Sequence, residues 1–198
     1  MLTRRTLIAS LPLATAFAGP GFAAAQIGVS VRARGTSTLQ QGGVIRALTP
    51  NAQLFERDIV RTEDDGFAEL MLNTATQINL GPQSEVEIDQ FVADIGGVIT
   101  LGGAMAFDRP EDLPPLDLTI RTAFAQIGVR GTRFFAGPSK GVFAVFVDRG
   151  TVSVRALGST RTLGAGDGVE VRLKGAAPRE VVKWAPARIK AAFASVGL

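Results

Sequence analysis

Few side chains in this chain of 198 residues can do chemistry. It contains no Cys, no His and no Tyr. That excludes disulfides, zinc sites built on thiolate or imidazole, a His base and a Cys nucleophile. Carboxylates, Lys and hydroxyls remain. Within that short inventory one tripeptide occurs three times, as Arg34-Gly35-Thr36, Arg130-Gly131-Thr132 and Arg149-Gly150-Thr151. A glycine between a guanidinium and a hydroxyl can help to hold an anion, or it can simply turn a strand through a positive φ or a bulge. The copies sit at similar strand boundaries, which favours the structural use. On that reading Gly131 supplies the bend, Thr132 starts a strand and Arg130 protects a sheet edge.

Arg121, Arg130 and Arg133 cluster around the middle copy and are candidates to bind an anionic glycan or phosphate. Asp64-Asp65-Gly66 could present carboxylates to a hard cation, but an Asp-Gly hairpin turn accounts for it. Glu85, Glu87 and Asp89 recur at period two. They could form a Ca²⁺ or basic-partner face, though a solvated strand face suffices. The run Gly164-Ala165-Gly166-Asp167-Gly168 has the look of a phosphate loop, yet it lacks the Lys-Ser/Thr ending and leads into a strand. No cofactor and no metal are implied. The net charge of +3 is spread along the chain rather than concentrated in one run, which argues against nucleic acid.

The elements that position these residues are predicted to be strands. In 67–72, Ala68, Leu70 and Leu72 alternate with polar or outward positions. Leu116, Leu118 and Ile120 do the same in 116–122, Val152, Val154 and Ala156 in 151–156, and Val169, Val171 and Leu173 in 169–174. Turn signals recur every eight to twelve residues, among them Asp65-Gly66, Gly96-Gly97, Gly102-Gly103 and Gly137-Pro138. The fold class is therefore all-β: a single domain of short, mostly antiparallel strands, as a sandwich, a roll or a β-solenoid-like stack. Residues 108–115 carry three prolines and read as a long connection between two halves. A short helix from Pro186 is predicted at the end, with Ile189, Ala192, Phe193 and Val196 on the stripe that caps the β core. An internal echo links the two parts of the chain. Val-Ser-Val-Arg-Ala occurs at 29–33 and 152–156, and Leu-x-x-x-Asp-x-Val at 54–60 and 163–169.

Residues 1–25 read as an export leader: Arg4-Arg5, an interrupted apolar stretch, then Ala23-Ala24-Ala25, with Gln26 as the first mature residue. Paired arginines before Leu7-Ile8 resemble a twin-arginine signal, and a general secretory signal is the alternative. No Cys follows the cleavage site and no later stretch approaches a membrane span, so the expected location is the periplasm of a Gram-negative cell.

Residues 58–88 resemble the first half of the FecR domain, with a strand, an acidic-Gly turn, a Leu-rich strand and Leu80-Gly81 before Ser84. Residues 118–135, containing Val129-Arg130-Gly131-Thr132-Arg133-Phe134, resemble its second signature, and 145–156 and 163–171 its closing strands. The resemblance runs from about residue 28 to 173. It implies a FecR-like β domain over 26–183, followed by the amphipathic helix at 184–198. It also implies a non-enzymatic role as a binding module for an envelope or periplasmic protein partner. An envelope polysaccharide or small anionic ligand is the alternative. Transmembrane regulators of this family add a cytoplasmic sigma-binding segment and a membrane span. Neither is read in this chain, so an anti-sigma activity is not implied. FecR-like regulators are also similar in self-cleavage at a Gly-Thr bond, which places Gly131 and Thr132 as a second alternative.

Overall fold

The structure, a computed structural model, describes residues 25–73, 75–92, 95–114 and 116–198, and of Gly131 the backbone only. All but the last residue of the predicted leader lies outside the described residues. In chain order the strands are β1 Gly28–Arg34, β2 Ser37–Gln41, β3 Val44–Ala47, β4 Gln53–Leu54, β5 Ile59–Thr62, β6 Phe67–Leu72, β7 Thr76–Leu80 and β8 Ser84–Val92. They continue as β9 Gly96–Gly102, β10 Met105–Asp108, β11 Asp117–Thr122, β12 Gln126–Ser139, β13 Val142–Ala156, β14 Ser159–Leu163, β15 Asp167–Val171 and β16 Val182–Lys183. Helix α1, Pro186–Ala194, follows.

The protein is all-β, with one hydrogen-bonded, open sheet that is antiparallel except where β9 meets β11. Two long strands decide its shape. The first part of β12 pairs with β11 through Gln126–Val129, while its second part pairs with β10 through Arg133–Ala136. Strand β13 mirrors this, with β15 along Phe143–Phe146 and β14 along Val152–Ala156. The hairpin of β12 and β13 therefore belongs to two layers at once. One layer runs β3-β2-β5-β8-β9-β11 into it, and the other β4-β1-β6-β7-β10.

A single buried cluster joins the layers. Leu39, Val60, Ile120 and Val154 come from the first, and Leu70, Ile78, Phe107 and Val169 from the second. This is the sandwich alternative, folded from one continuous sheet. The second layer is covered on its outer face by α1, where Phe135, Phe146, Trp184, Ala192 and Val196 form a separate apolar cluster. Among the described residues nothing packs over the outer face of the first layer.

Period-two alternation places Ala68, Leu70, Leu72, Leu116, Leu118, Ile120, Val152 and Val154 in the core as the sequence requires. Leu173 is a correction. Strand β15 stops at Val171, and Leu173 lies in the following turn with 70% of its surface exposed. Gly137-Pro138 also differs from expectation: both lie inside β12, opposite Ala144 and Phe143, and the turn falls at Lys140-Gly141. Pro138 is tolerated because β10 no longer pairs with β12 at that point, so no ladder donor is missing on that side. The 108–115 segment does connect the layers, from β10 to β11.

The Leu-x-x-x-Asp-x-Val echo has one local geometry in both places. Asp58 accepts the Phe55 N–H at 2.8 Å, and Asp167 accepts the Gly164 N–H at 2.9 Å. In each, the aspartate's own N–H returns to the carbonyl of that same residue. Both motifs are side-chain-closed turns joining two strands.

Candidate functional site

The middle and last Arg-Gly-Thr copies face each other across the β12–β13 ladder. Arg130 pairs with Thr151 and Arg133 with Arg149, and the register shifts twice between Arg130 and Phe134. This is a β-bulge in mid-strand, and it bends the sheet. Its effect shows in which residues face inward. Before it Ile127 and Val129 enter the core, and after it Phe134 and Ala136 do, so the inward parity changes from odd to even. Strand β13 compensates across the same corner, from Val145 and Val147 to Val152 and Val154, with Gly150 at φ +82°. The expected strand start at Thr132 is thus corrected, since Thr132 lies inside β12, while Arg130 pairs with Thr151 on one side and on the other falls in the gap between the end of the β11 ladder at Val129 and the start of the β10 ladder at Arg133. The φ and surroundings of Gly131 lie outside what is described. The first copy serves a different turn. Gly35, at φ +62°, sits where a Cβ would overlap the Asp65 carbonyl.

Thr132 is completely buried. Its carbonyl accepts the Arg109 N–H at 3.1 Å, but its Oγ1 has no hydrogen-bond partner. Arg109 is itself 1% exposed and places its guanidinium on the Pro114 carbonyl and the Thr76 hydroxyl. Around this corner Asp108 receives Arg149 at 2.8 Å and Arg133 at 3.7 Å, while Arg133 also reaches Asp148 at 3.7 Å. Arg149 donates further to the Arg109 carbonyl. These pairs are half exposed, so they fix the geometry of the corner more than they stabilise it.

The three candidate arginines part company here. Arg133 turns to the helix side, its guanidinium 5.1 Å from the Phe193 ring. Arg121 and Arg130 stay exposed on the outer face of the first layer. Arg155 joins them there, since Arg121 and Arg155 both face Gln126 from opposite sides. Sequence spacing hid Arg155, because only the pairing register brings it close. A shallow depression of about 500 Å³ lies beside Arg130, lined also by Asp117, Gly128, Thr151 and Ser153.

Apart from Glu87, the acidic candidates are committed within the fold. Asp65 accepts the Thr36 N–H at 2.9 Å, which holds its carboxyl below the usual carboxylate range. Asp64 accepts from Gln83, Glu85 pairs with Arg61, and Asp89 accepts from Thr100. Asp167 is also held low, by Lys183 at 2.9 Å and the Gly164 N–H.

The free edge of the first layer is β3. It pairs only with β2, and all four of its residues are exposed, Val44 at 67% and Ile45 at 61%. Gly42 and Gly43, both at positive φ, form the two-residue turn before it. In such a hairpin Gln41 and Val44 exchange backbone bonds, so the N–H of Ile45 points away from β2.

Residues 58–153 match the family described as FecR protein. The chain carries a FecR domain. That stretch runs from the start of β5 through the corner and into the second part of β13, so it includes both facing Arg-Gly-Thr copies. Two solved structures with the same fold, both of a protein from Parabacteroides distasonis ATCC 8503 designated an anti-sigma factor, align with a TM-score of 0.56 at 18% identity. The alignment covers 67% of this chain and 63% or 62% of theirs. No curated protein sequence matches the chain. The strands flanking the FecR match, β1 to β4 on one side and β14 to β16 on the other, extend the same sheet. No helix among the described residues is long and apolar enough to cross a membrane.

Proposed function

We propose that this FecR-domain chain is a non-enzymatic binding module that works in the periplasm after removal of residues 1–25, with its C-terminal segment 184–198, which contains α1, as an integral cap. Its task is to engage a protein partner in envelope signalling or assembly. The family match and the likeness to proteins designated anti-sigma factors support a signalling context. The observation that carries the binding reading is the edge of β3, with exposed Val44 and Ile45 and an outward N–H at Ile45. A partner strand adding there would gain main-chain hydrogen bonds and cover two β-branched side chains. The test is in-cell photo-crosslinking from position 44, with and without Ile45→Pro. Proline removes the outward donor without touching the β2 ladder. The reading expects one discrete crosslinked protein that disappears with proline. It is overturned if the product persists, or if none forms.

A second reading is favoured by the orphaned Thr132 Oγ1. That hydroxyl could attack the Gly131 carbonyl carbon and break the C–N bond, leaving an ester and a free Thr132 amine that takes up the hydroxyl proton. Water would then hydrolyse the ester into two fragments. Purified wild type would show two bands where Thr132→Ala shows one, and a single intact wild-type species sinks this reading.

A further inference from the structure

The uncovered outer face of the first layer holds an ordered array that the protein-partner reading leaves unused. Cross-strand pairing sets Thr119, Gly128, Ser153 and Thr162 in one row over four adjacent strands. Two residues along, the row is Thr100, Arg121, Gln126, Arg155 and Thr160. Two residues the other way, Arg130 stands beside Thr151. Arg121 and Arg155 are two strand spacings apart, roughly 10 Å, and Arg130 lies about 14 Å from their row along the strand. None of the three arginines makes an ion pair or side-chain hydrogen bond among the described residues. At the middle of this triangle Gly128 contributes no side chain, and a Cβ there would meet the Ser153 hydroxyl at 2.5 Å. The depression beside it is lined by Arg130, Thr151, Ser153 and Asp117, with Leu116 and Val129.

We propose that this face binds an acidic polysaccharide, a chain of uronic-acid sugars lying along β12. Three separated guanidiniums cannot be met by one small anion, but they fit carboxylates repeated along a polymer, each held by a fork of N–H donors. The Asp117 carboxylate decides between polyanions. It would repel a phosphate placed in the depression, whereas a sugar ring brings hydroxyls that it, Thr151 and Ser153 can bind. Nucleic acid is further disfavoured because the cross-strand rows of this face, among the described residues, include no aromatic ring for a base to stack on. It is also disfavoured because Glu87 stands two strands from Arg121 across Thr100. The site does not share residues with the β3 edge, so either can fail alone.

Calorimetric titration of the purified full-length chain with oligogalacturonate tests it, against neutral dextran, poly-glutamate and a single-stranded oligonucleotide. The proposal expects binding to oligogalacturonate alone, weakened by salt. Arg130→Gln and the double change Arg121→Gln with Arg155→Gln should each lower affinity at least ~tenfold. Gly128→Val fills the depression without altering charge and should abolish binding. Tryptophan fluorescence from Trp184, on the far side of the second layer, checks that each variant is folded. Absence of oligogalacturonate binding, equal binding to poly-glutamate or oligonucleotide, or folded variants that bind like wild type would each overturn it.

Discussion

Replacing Thr132 by valine should make this protein more stable. Thr132 is 0% exposed and its Oγ1 finds no donor or acceptor, at the bulge in β12. A buried hydroxyl left unsatisfied costs about 1–3 kcal/mol. Valine keeps the shape and the β-branched backbone preference, and exchanges the hydroxyl for a methyl group. The expected gain is about 1–2 kcal/mol. For a chain of this length each kcal/mol moves the melting temperature by about 2–4 °C, so a rise of roughly 3–6 °C is expected. Urea denaturation and calorimetric melting both read it. Thr132→Ser is the control: it keeps the hydroxyl, drops one buried methyl group and should lose about 1 kcal/mol. A valine variant less stable than wild type would refute the reasoning, since it would mean that the hydroxyl is bonded in the folded protein. The paired result also bears on self-cleavage, because a fold that keeps an unsatisfied nucleophile at a stability cost is keeping it for something other than packing.

Gly168 lies under the indole of Trp184, with Phe146 stacked beyond at 5.0 Å and the Arg188 guanidinium 3.8 Å from the indole ring. Gly168→Val should lift Trp184, cost about 1–3 kcal/mol and shift the emission of this sole tryptophan to the red. Phe134→Ala empties the core at the corner, where Phe134 stacks on Phe107 at 5.3 Å, and should cost about 3–5 kcal/mol by denaturant titration. The lowered carboxyls of Asp65 and Asp167 fix the sign of an acid effect. Groups held below their unfolded pKa contribute stability above about pH 4, and that contribution is lost as the pH falls through the folded value. Asp65→Asn with Asp167→Asn should flatten the fall of the urea midpoint between pH 6 and pH 3, and an unchanged slope would contradict the assignment.

The strands were legible wherever one face is buried and the other wet, as in Leu70 and Leu72 of β6 or Leu118 and Ile120 of β11. The alternation is imposed by the pleat and survives any topology. The helix was legible because Ile189, Ala192 and Phe193 fall on one stripe and Pro186 opens it, while Val196, read as its continuation, lies in the turn after Ala194. The bend of β12 and β13 was not legible. Gly137-Pro138 imitates a turn, so a 14-residue strand read as two pieces, and the parity switch at Arg130 to Phe134 looked like a strand end. Leu173 was misplaced for the opposite reason, an alternation that runs on after the ladder has stopped. The site suffered most. Arg121, Arg130 and Arg133 are near in sequence, but the bulge turns Arg133 to the helix side, while Arg155 arrives from a strand about thirty residues away through register alone.

The bent hairpin also makes the two layers mechanically one body. Strand β12 passes from one layer to the other at the corner, with Ile127 and Val129 inward on one side of it and Phe134 and Ala136 on the other. A load applied at the uncovered face, where Arg121 and Arg155 flank Gln126, runs along the same backbone that carries Phe135 and Phe146 beneath α1. The hairpin is in that sense one body bent at the facing Arg-Gly-Thr pair, with the uncovered face on one arm and the helix-covered face on the other.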